Sequence, residues 1–181
     1  MLFLSSSKSK IAQFDDPEFK YANAQPTSVS IDNLVAFTAE EFHASLITPF
    51  FIDFTFRVLI EGYDFNTSIT HMLSATSQSH VARHTNVVHM RLNTQTPTVD
   101  STLYVFTHPK WRPWGNRLPP ACPDCASPHS WSDMIKQGST YSYSCRRDNC
   151  SGWCSFAKPE GLEPCTPESN GGRWMKRKYK V

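Results

Sequence analysis

The segment from Pro120 to Phe156 decides how the chain is interpreted, because its two ends read P-A-C-P-D-C-A-S-P-H-S-W and Y-S-Y-S-C-R-R-D-N-C-S-G-W-C-S-F. Its first four cysteines form a C-x2-C pair and, further on, a C-x4-C pair: Cys122, Cys125, Cys145 and Cys150. Each short turn offers two thiolates, and four soft ligands at ~2.3 Å suit tetrahedral Zn²⁺. The spacing therefore predicts a structural Zn²⁺ site, with room for a small β-hairpin between the two pairs.

The six cysteines also permit other chemistry. A disulfide framework is typical of secreted chains, but the N-terminus M-L-F-L-S-S-S-K-S-K lacks the basic start and the apolar core of a signal peptide. Free thiols and an iron–sulfur centre are further alternatives, although the spacing does not match the usual cluster patterns. We therefore expect an intracellular zinc protein, and the sequence does not distinguish nucleus from cytoplasm.

Two further cysteines, Cys154 and Cys165, lie outside the two pairs. Cys154 and Phe156 fall on one face of a predicted strand, opposite Trp153, so we interpret Cys154 as a small buried hydrophobe. It is also the alternative to Cys150 as the fourth ligand. Cys165 stands between prolines in a predicted loop.

Residues 120–157 resemble a four-cysteine zinc ribbon, which implies a structural metal and, in many such modules, contact with nucleic acid or with another protein. The second knuckle departs from the commonest ribbons, because four residues rather than two separate its cysteines. The order W-x2-W-G followed by C-P-x-C is also faintly similar to uncharacterised fungal proteins, a resemblance that implies no function.

The 181 residues, 39% of them hydrophobic, can hold a domain with its own core and a metal module. The predicted organisation is a flexible arm, a small α/β domain, a Trp/Pro bridge with the zinc-ribbon-like module, and a basic tail: residues 1–30, 31–110, 111–160 and 161–181. No apolar run approaches the ~20 residues of a membrane-spanning helix, so we expect no membrane partner.

The predicted α/β domain opens with a helix and a strand. Thr38 and Glu41 fit a capping box, and the helix that follows is expected to end at about Thr48, before Pro49. From Phe50 to Glu61, apolar residues alternate with a period of two, which predicts a long half-buried strand. A helix is the alternative for that segment.

The remaining elements complete the predicted domain. Residues 66–78 have helical spacing, with an apolar stripe at Phe65, Ile69, Met72 and Leu73. Strands are predicted at 86–92 and at 101–107, and Leu34–Phe37 is either a strand or an extended lead-in. The order predicts an α+β fold, in which a small mixed helix/strand layer is followed by a C-terminal zinc-ribbon-like β-hairpin module.

The bridge H-P-K-W-R-P-W-G-N-R-L-P-P and the segment R-W-M-K-R-K-Y-K-V are rich in aromatic and basic residues. Tryptophans can stack on bases while basic side chains contact phosphates, which predicts a single-stranded nucleic-acid surface: Trp111, Arg112, Trp114, Lys176, Arg177 and Lys178. The alternative is that the tryptophans form a packing clamp between sheet and metal module, and that the basic segment is a solvated terminus. We favour the clamp, most of all for Trp114.

Four of the seven histidines are close in sequence: His71, His80, His84 and His89. His80 and His84 are spaced i, i+4 and would share a helix face, as a metal pair requires. No H-E-x-x-H, G-x-S-x-G or phosphate-binding glycine motif accompanies them. The predicted function is a structural zinc protein that binds nucleic acid or a partner protein. The alternative is a degenerate or reduced hydrolase-like enzyme domain that uses these histidines.

Overall fold

The computed structural model describes residues 2–5, 33–39, 43–76, 80–93, 95–96 and 98–179. Its strands are β1 (Leu2–Ser5), β2 (Asn33–Phe37), β3 (Val87–Asn93), β4 (Thr98–Thr107), β5 (Ile135–Gln137), β6 (Thr140–Ser144), β7 (Trp153–Ala157), β8 (Glu163–Pro164) and β9 (Arg173–Lys178). Its helical elements are α1 (Ala44–Phe54), a π-helical segment (Thr55–Ile60), α2 (Phe65–Thr76), α3 (His80–His84) and a 3₁₀ turn (Pro113–Gly115). The predicted α+β class is confirmed.

The larger sheet has six antiparallel strands in the order β1-β2-β3-β4-β9-β8. β3 and β4 form a hairpin at its centre. Their β-branched and aromatic residues suit a pleated surface that is packed on both faces. The sequence-based strands are confirmed at Leu34–Phe37, 86–92 and 101–107, with small shifts of their ends.

Strand β9 lies inside this sheet, between β4 and β8, and pairs with β4 over its whole length. Trp174 is fully buried and Met175 nearly so. Residues 161–181 are predicted to form a basic tail, but Arg173–Lys178 is a strand of the sheet. This strand is also not the solvated terminus that is the alternative to nucleic-acid binding, because two of its residues are buried. Successive strand residues point to opposite faces, so these two apolar neighbours anchor β9 to both faces of the sheet in spite of its basic residues.

Helices α1, α2 and α3 pack on one face of the larger sheet and enclose the main core with it. The apolar stripe predicted on α2 is confirmed, since all four of its residues are buried there: Phe65, Ile69, Met72 and Leu73. A second cluster covers the opposite face of the sheet, where Leu162 and the half-buried Trp114 pack on Val88, Leu103, Val105 and Met175.

The predicted strand from Phe50 to Glu61 is wrong, because residues 50–60 form the second half of α1 and the π-helical segment. Ile47 and Phe54 are buried at helical spacing, and an ion pair joins Asp53 to Arg57 one turn later (2.9 Å). The segment is so apolar that it satisfies both the helical and the strand period. Tertiary packing against α2 and the sheet decides between them.

The first helix also begins and ends elsewhere than predicted. α1 begins after His43, which occupies the N-cap position without a side-chain capping bond, and it continues through Pro49. Thr38 extends the pairing beside β2 instead: its N–H donates to the Asn86 carbonyl, and its hydroxyl accepts from the Asn86 N–H, both at 3.2 Å. The capping box is therefore wrong for Thr38, and its predicted partner Glu41 lies outside the described residues.

Most of the predicted flexible arm lies outside the described residues. Leu2–Ser5 is the exception, because it forms β1 and pairs with β2. Among the helices of the described ranges, none is both long and apolar enough to cross a membrane. The domain boundaries proposed from the sequence stay a prediction.

Candidate metal centre

Strands β5, β6 and β7 form a separate three-stranded antiparallel sheet, which we call the cysteine module together with the loops of residues 118–134 and 145–152. Tyr141 and Tyr143 of β6 are buried, while on β7 Cys154 is half-buried and Trp153 is 66% exposed. The alternation predicted for this hairpin is therefore observed. The module's buried residues form a small core of their own: Cys122, Trp131, Tyr141, Tyr143 and Cys145.

The four predicted ligands converge. Their Sγ atoms all lie within 4.8 Å of one another: Cys122, Cys125, Cys145 and Cys150. The Sγ atoms of Cys122 and Cys150 are 3.7 Å apart, as are those of Cys125 and Cys145. Ligands held ~2.3 Å from a tetrahedral centre are about 3.8 Å from each other, so these positions fit a metal ion. All six cysteines are free, so the structure contains none of the disulfides considered as an alternative.

Closed turns hold each cysteine pair in place. In the first turn the Ala126 N–H donates to the Cys122 carbonyl (2.8 Å), and Ala126 has a φ of 55°. In the second turn the Cys150 N–H donates to the Arg147 carbonyl (3.1 Å), and Asn149 has a φ of 60°. Asn tolerates this left-handed conformation better than most residues do. The unusual C-x4-C spacing thus closes into a knuckle.

Gly152 is a site residue that the sequence reasoning did not identify. A Cβ atom at this position would lie 2.4 Å from Cys122 Sγ and 3.3 Å from Cys150 Sγ. Its N–H lies 3.4 Å from Cys150 Sγ, and its carbonyl accepts from the Cys145 N–H (2.7 Å). Only a residue without a side chain fits this close to the sulfurs. The signal in the sequence was the S-G pair directly after Cys150.

The electrostatics of the cluster favour a cation at its centre. The Ser130 hydroxyl lies 3.2 Å from Cys145 Sγ and is the main cause that lowers the pKa of Cys145 to about 6. The Gly152 N–H lowers the pKa of Cys150, but burial and the neighbouring thiols outweigh it and raise that pKa to about 12. Adjacent thiolates repel one another, so a bound divalent cation is what would allow all four to ionise.

The other two cysteines lie outside the cluster. Cys154 stands opposite Tyr143 in the β6–β7 pair, and burial raises the pKa of its thiol. Cys165 packs against the main core, where burial raises the pKa of its thiol to about 11. The structure therefore includes Cys150 in the group and leaves Cys154 outside it. The half-buried position of Cys154 is in line with its interpretation as a small hydrophobe.

Trp111 packs on the side of the larger sheet, and the contacts that the structure describes for its ring do not include the cysteine module. Its ring stacks on Phe106 (centroids 5.5 Å apart) and on His108 (4.7 Å), with the Arg83 guanidinium 5.2 Å from its centroid. The side chain is half-buried against the main core. Trp111 thus fixes the start of the bridge to the larger sheet.

Trp114 joins the larger sheet to the cysteine module. Its ring stacks on Tyr141 of β6 at 4.6 Å and packs against the core clusters of both sheets. The ammonium group of Lys158 lies 5.8 Å from its centroid. Gly115 allows the chain to pass, because a Cβ atom there would lie 2.9 Å from the Cβ of Val105. These contacts are those that the clamp interpretation predicts for Trp114.

Arg112 lies between the two tryptophans in sequence but is only 4% exposed. Its guanidinium donates to the side-chain oxygen of Asn86 and to three backbone carbonyls, those of Ala82, Thr85 and Gly115. It is therefore not presented beside the tryptophans on one open surface, as a stacking platform would require.

The basic residues proposed on β9 occupy a different part of the molecule. Lys176 and Lys178 are exposed and Arg177 is half-buried. The cleft that they line also contains Glu160 and Glu163, whose carboxylates offset part of the positive charge. The nucleic-acid role of these three residues stays a prediction.

The histidines of the predicted cluster whose side chains are described, His71, His84 and His89, do not converge on one pocket. His89 is buried on β3, where it hydrogen-bonds to Asn33 Oδ1 (3.0 Å). His84 lies 5.4 Å from the ring of His43, His71 is exposed on α2, and the side chain of His80 lies outside the described residues. The hydrolase-like alternative therefore gains no support.

The cysteine cluster is the centre that the fold assembles most clearly. Among the residues that the structure describes, no other three metal-ligating side chains lie close enough to share one ion. The cluster has to be interpreted from its own geometry, because comparison with known proteins found no family, no curated protein and no solved structure that matches this chain.

Proposed function

We propose that the chain is a structural zinc protein in which Zn²⁺, held by Cys122, Cys125, Cys145 and Cys150, fixes a surface that binds single-stranded nucleic acid. The observation that carries the metal is the convergence of four Sγ atoms within 4.8 Å. Four thiolates suit Zn²⁺ because this ion is soft enough for sulfur and imposes no geometry of its own. Four protein ligands leave no open position for a reacting water, so the role is structural rather than catalytic.

The cysteine module needs the metal for stability. Its core contains five buried residues, two of which are the ligands Cys122 and Cys145. A core of this size contributes little to the free energy of folding. In small modules of this kind the bound metal contributes on the order of 10 kcal/mol to it. Zinc would cross-link the two knuckles and so hold the loops of the module around its three short strands.

The position of the module depends on a few contacts with the rest of the chain. The Tyr143 hydroxyl donates to the carbonyl of Pro109, at the end of the larger sheet. The ring of Trp114 stacks on Tyr141. Tyr141 and Tyr143 also belong to the core around the cysteines, so metal binding is coupled to the orientation of the module on the sheet.

The surface that this arrangement creates is a cleft of about 470 Å³ between module and sheet. Its lining includes the stacked rings of Trp114 and Tyr141 together with Lys136, Lys158 and Arg173. It contains three basic side chains and one acidic one, Glu168, which pairs with Arg173. Aromatic rings beside lysines are the usual means of binding single strands, because bases stack on the rings while ammonium groups contact phosphates.

The lysines of this cleft lie close to its two rings. Lys136 lies 5.9 Å from the centroid of Tyr141, and Lys158 lies 5.8 Å from that of Trp114. A lysine side chain is long and flexible. When a base stacks on the ring, the ammonium group can therefore leave the ring and contact a phosphate. Trp114 would then serve as clamp and as stacking surface, whereas neither Trp111 nor Arg112 lines this cleft.

Metal analysis of the purified full-length chain tests the first half of the proposal. We expect one Zn²⁺ per chain, and after exchange with Co²⁺ the absorption spectrum of a four-thiolate tetrahedral site. Iron in place of zinc, or a chain without metal that retains its thermal unfolding profile, would contradict the zinc assignment.

Fluorescence anisotropy with labelled single-stranded oligonucleotides at several salt concentrations tests the second half. Lys136→Ala/Lys158→Ala should weaken binding and reduce the slope of log K against log salt by about 0.7 for each phosphate contact that is lost. Lys176→Ala/Lys178→Ala removes the same charge from β9 and compares this cleft with the basic residues that the sequence predicts for the same role. Equal losses in both variants would show that only net charge matters. No binding by the zinc-loaded wild type would leave a protein partner as the remaining function for this surface.

A further inference from the structure

A second cleft, of about 730 Å³, lies on the other side of the bridge, where the start of α1 approaches the end of α3. Its lining is polar and includes Thr38, His43, His84, Asn86, Arg112 and Arg117. It shares none of the cysteines and none of the residues of the cleft beside Trp114. A volume of this size is in the range of small-ligand sites, ~300–1,000 Å³.

Arg112 places a buried positive charge in the wall of this cleft. Its Nε donates to the Gly115 carbonyl, its Nη1 to the carbonyls of Ala82 and Thr85, and its Nη2 to Asn86 Oδ1. All of these acceptors are neutral. Burying an arginine without an opposite charge is costly, because carbonyl dipoles replace only part of the lost hydration.

Arg117 adds a second cation at the mouth of the same cleft. Its side chain is exposed, and its Nη2 donates to the His84 carbonyl (2.9 Å). Burial, and then the nearby charge of Arg117, lower the pKa of Arg112 to about 10. Within the described part of the lining there is no carboxylate that could neutralise either guanidinium.

The two arginines also bind carbonyls at the end of α3, and this purely structural role has to be weighed. Arg112 binds the Ala82 carbonyl and Arg117 the His84 carbonyl, as basic residues at helix C-termini commonly do. That role accounts for the individual hydrogen bonds. It does not account for an open polar cleft that is lined by two arginines and two histidines. The partial negative charge at the end of a short helix is smaller than two full charges, so it compensates only part of the charge of Arg112 and Arg117.

We propose that this cleft binds the phosphate group of a ligand, either a small phosphate ester or a phosphate of the single strand proposed above. Planar guanidinium groups match the oxygens of a phosphate and form charge-assisted hydrogen bonds with it. The second Nη2 hydrogen of Arg112 and the remaining donors of Arg117 supply these bonds. The negative charge of the phosphate also compensates the two guanidinium charges, which otherwise have no opposite charge in the described lining. The phosphate site does not rest on the function proposed for the other cleft, and only the single strand as the source of the phosphate does.

Isothermal titration of the zinc-loaded chain with inorganic phosphate, at constant ionic strength, tests the site. Arg117→Ala is the informative variant, because Arg117 is exposed and its loss leaves the buried network of Arg112 intact. We expect it to weaken phosphate binding by roughly tenfold or more, the usual effect of losing a hydrogen bond between charged groups. Arg146→Ala removes an exposed arginine from the cysteine module and should leave phosphate affinity unchanged.

Two outcomes would overturn the proposal: the wild type does not bind phosphate, or Arg117→Ala and Arg146→Ala lose affinity equally. Glu40 and Glu41 follow Ala39 in the sequence and lie outside the described residues. If the wild type fails to bind phosphate but Glu40→Gln/Glu41→Gln binds it, the two carboxylates are the cause of the failure. An oligonucleotide titration then identifies the source of the phosphate. Arg117→Ala should weaken oligonucleotide binding in parallel if the strand supplies the phosphate, and should leave it unchanged if the ligand is a small phosphate ester.

Discussion

The two sheets of this molecule differ in the size of the apolar core that each one has. The larger sheet is covered on one face by helices, and fifteen of the residues that the structure describes are buried in the core between them. The cysteine module has five, and two of those are metal-ligand candidates. A region with a large apolar core is stable through burial, whereas a small β-module depends on its cross-link. The comparison predicts that metal removal and core truncation damage different regions of one chain.

The largest effect is expected from loss of a thiolate. Cys122→Ser or Cys145→Ser should release the metal and unfold the cysteine module, since structural zinc contributes on the order of 10 kcal/mol to such modules. Cys154→Ser and Cys165→Ser are the matched controls and should retain the metal, because both thiols lie outside the cluster. Metal content and thermal unfolding measure the difference. A Cys122→Ser protein with stoichiometric metal and the wild-type profile would show that the ligand set is wrong.

The next largest effect is expected from the core of the larger sheet. Trp174 of β9 is fully buried, so Trp174→Ala should lower the free energy of unfolding by roughly 3–5 kcal/mol without releasing the metal. Trp153→Ala makes the same change on the surface of the module, where the side chain is 66% exposed, and should cost no more than about 0.5 kcal/mol. Chemical denaturation of the zinc-loaded chain measures both. Similar losses for the two variants would mean that β9 is not part of the core.

The two regions also differ in how far their structure can be predicted from sequence. In the cysteine module, ligand chemistry requires cysteines in pairs on short turns, so Cys122, Cys125, Cys145 and Cys150 are found from spacing alone. Spacing does not identify Gly152, because its role depends on how closely the second knuckle approaches Cys122 Sγ in the first knuckle. Contacts between turns that are distant in sequence leave no local pattern.

In the larger domain the local pattern misleads where hydrophobicity is highest. The stripe of α2 is predicted correctly because polar residues separate its apolar positions, which leaves only the helical period. The segment from Phe50 to Glu61 has too few polar residues to exclude either period, and packing decides in favour of a helix. In β9, basic residues flank Trp174 and Met175 in the sequence. The sequence of this strand therefore resembles that of a charged tail, although the strand lies inside the sheet.

A smaller effect is expected from Gly152→Ala, which tests how tightly the cysteine module is built. The added Cβ would approach Cys122 Sγ to 2.4 Å, so the knuckle has to shift, at a cost of about 1–3 kcal/mol. The cost should appear as weaker metal affinity in competition with a chromophoric chelator. Ser151→Ala, at the exposed position next to it, should leave the affinity unchanged. Unchanged affinity in Gly152→Ala would mean that the two knuckles are farther apart than the structure has them.

The two regions also differ in their response to acid, which appears as a slope of stability against pH rather than as a fixed loss. His89 lies in the larger sheet, with its ring 4.3 Å from that of Phe65, and an amide oxygen can only accept, so its Nε2 donates to Asn33 Oδ1. Burial is the main cause that lowers the pKa of His89 to about 4, the charge of Arg91 lowers it further, and Asp64 opposes the shift. In the unfolded chain the pKa returns to about 6.5. Between these values the unfolded state binds more protons than the folded state, so the free energy of unfolding should fall as the pH falls from about 6.5 to about 4.

The expected slope from this one group is at most about 1.4 kcal/mol per pH unit, and the contribution should be constant above pH 6.5. The thiolates of the cysteine module also take up protons in acid, so wild type has to be compared with His89→Gln, which keeps the same cysteines. Denaturation at several pH values should give a shallower decline for His89→Gln, and the difference between the two curves isolates His89. Parallel curves would mean that acid acts on this protein through the cysteine module alone, and that the larger sheet is not the acid-sensitive region that His89 implies.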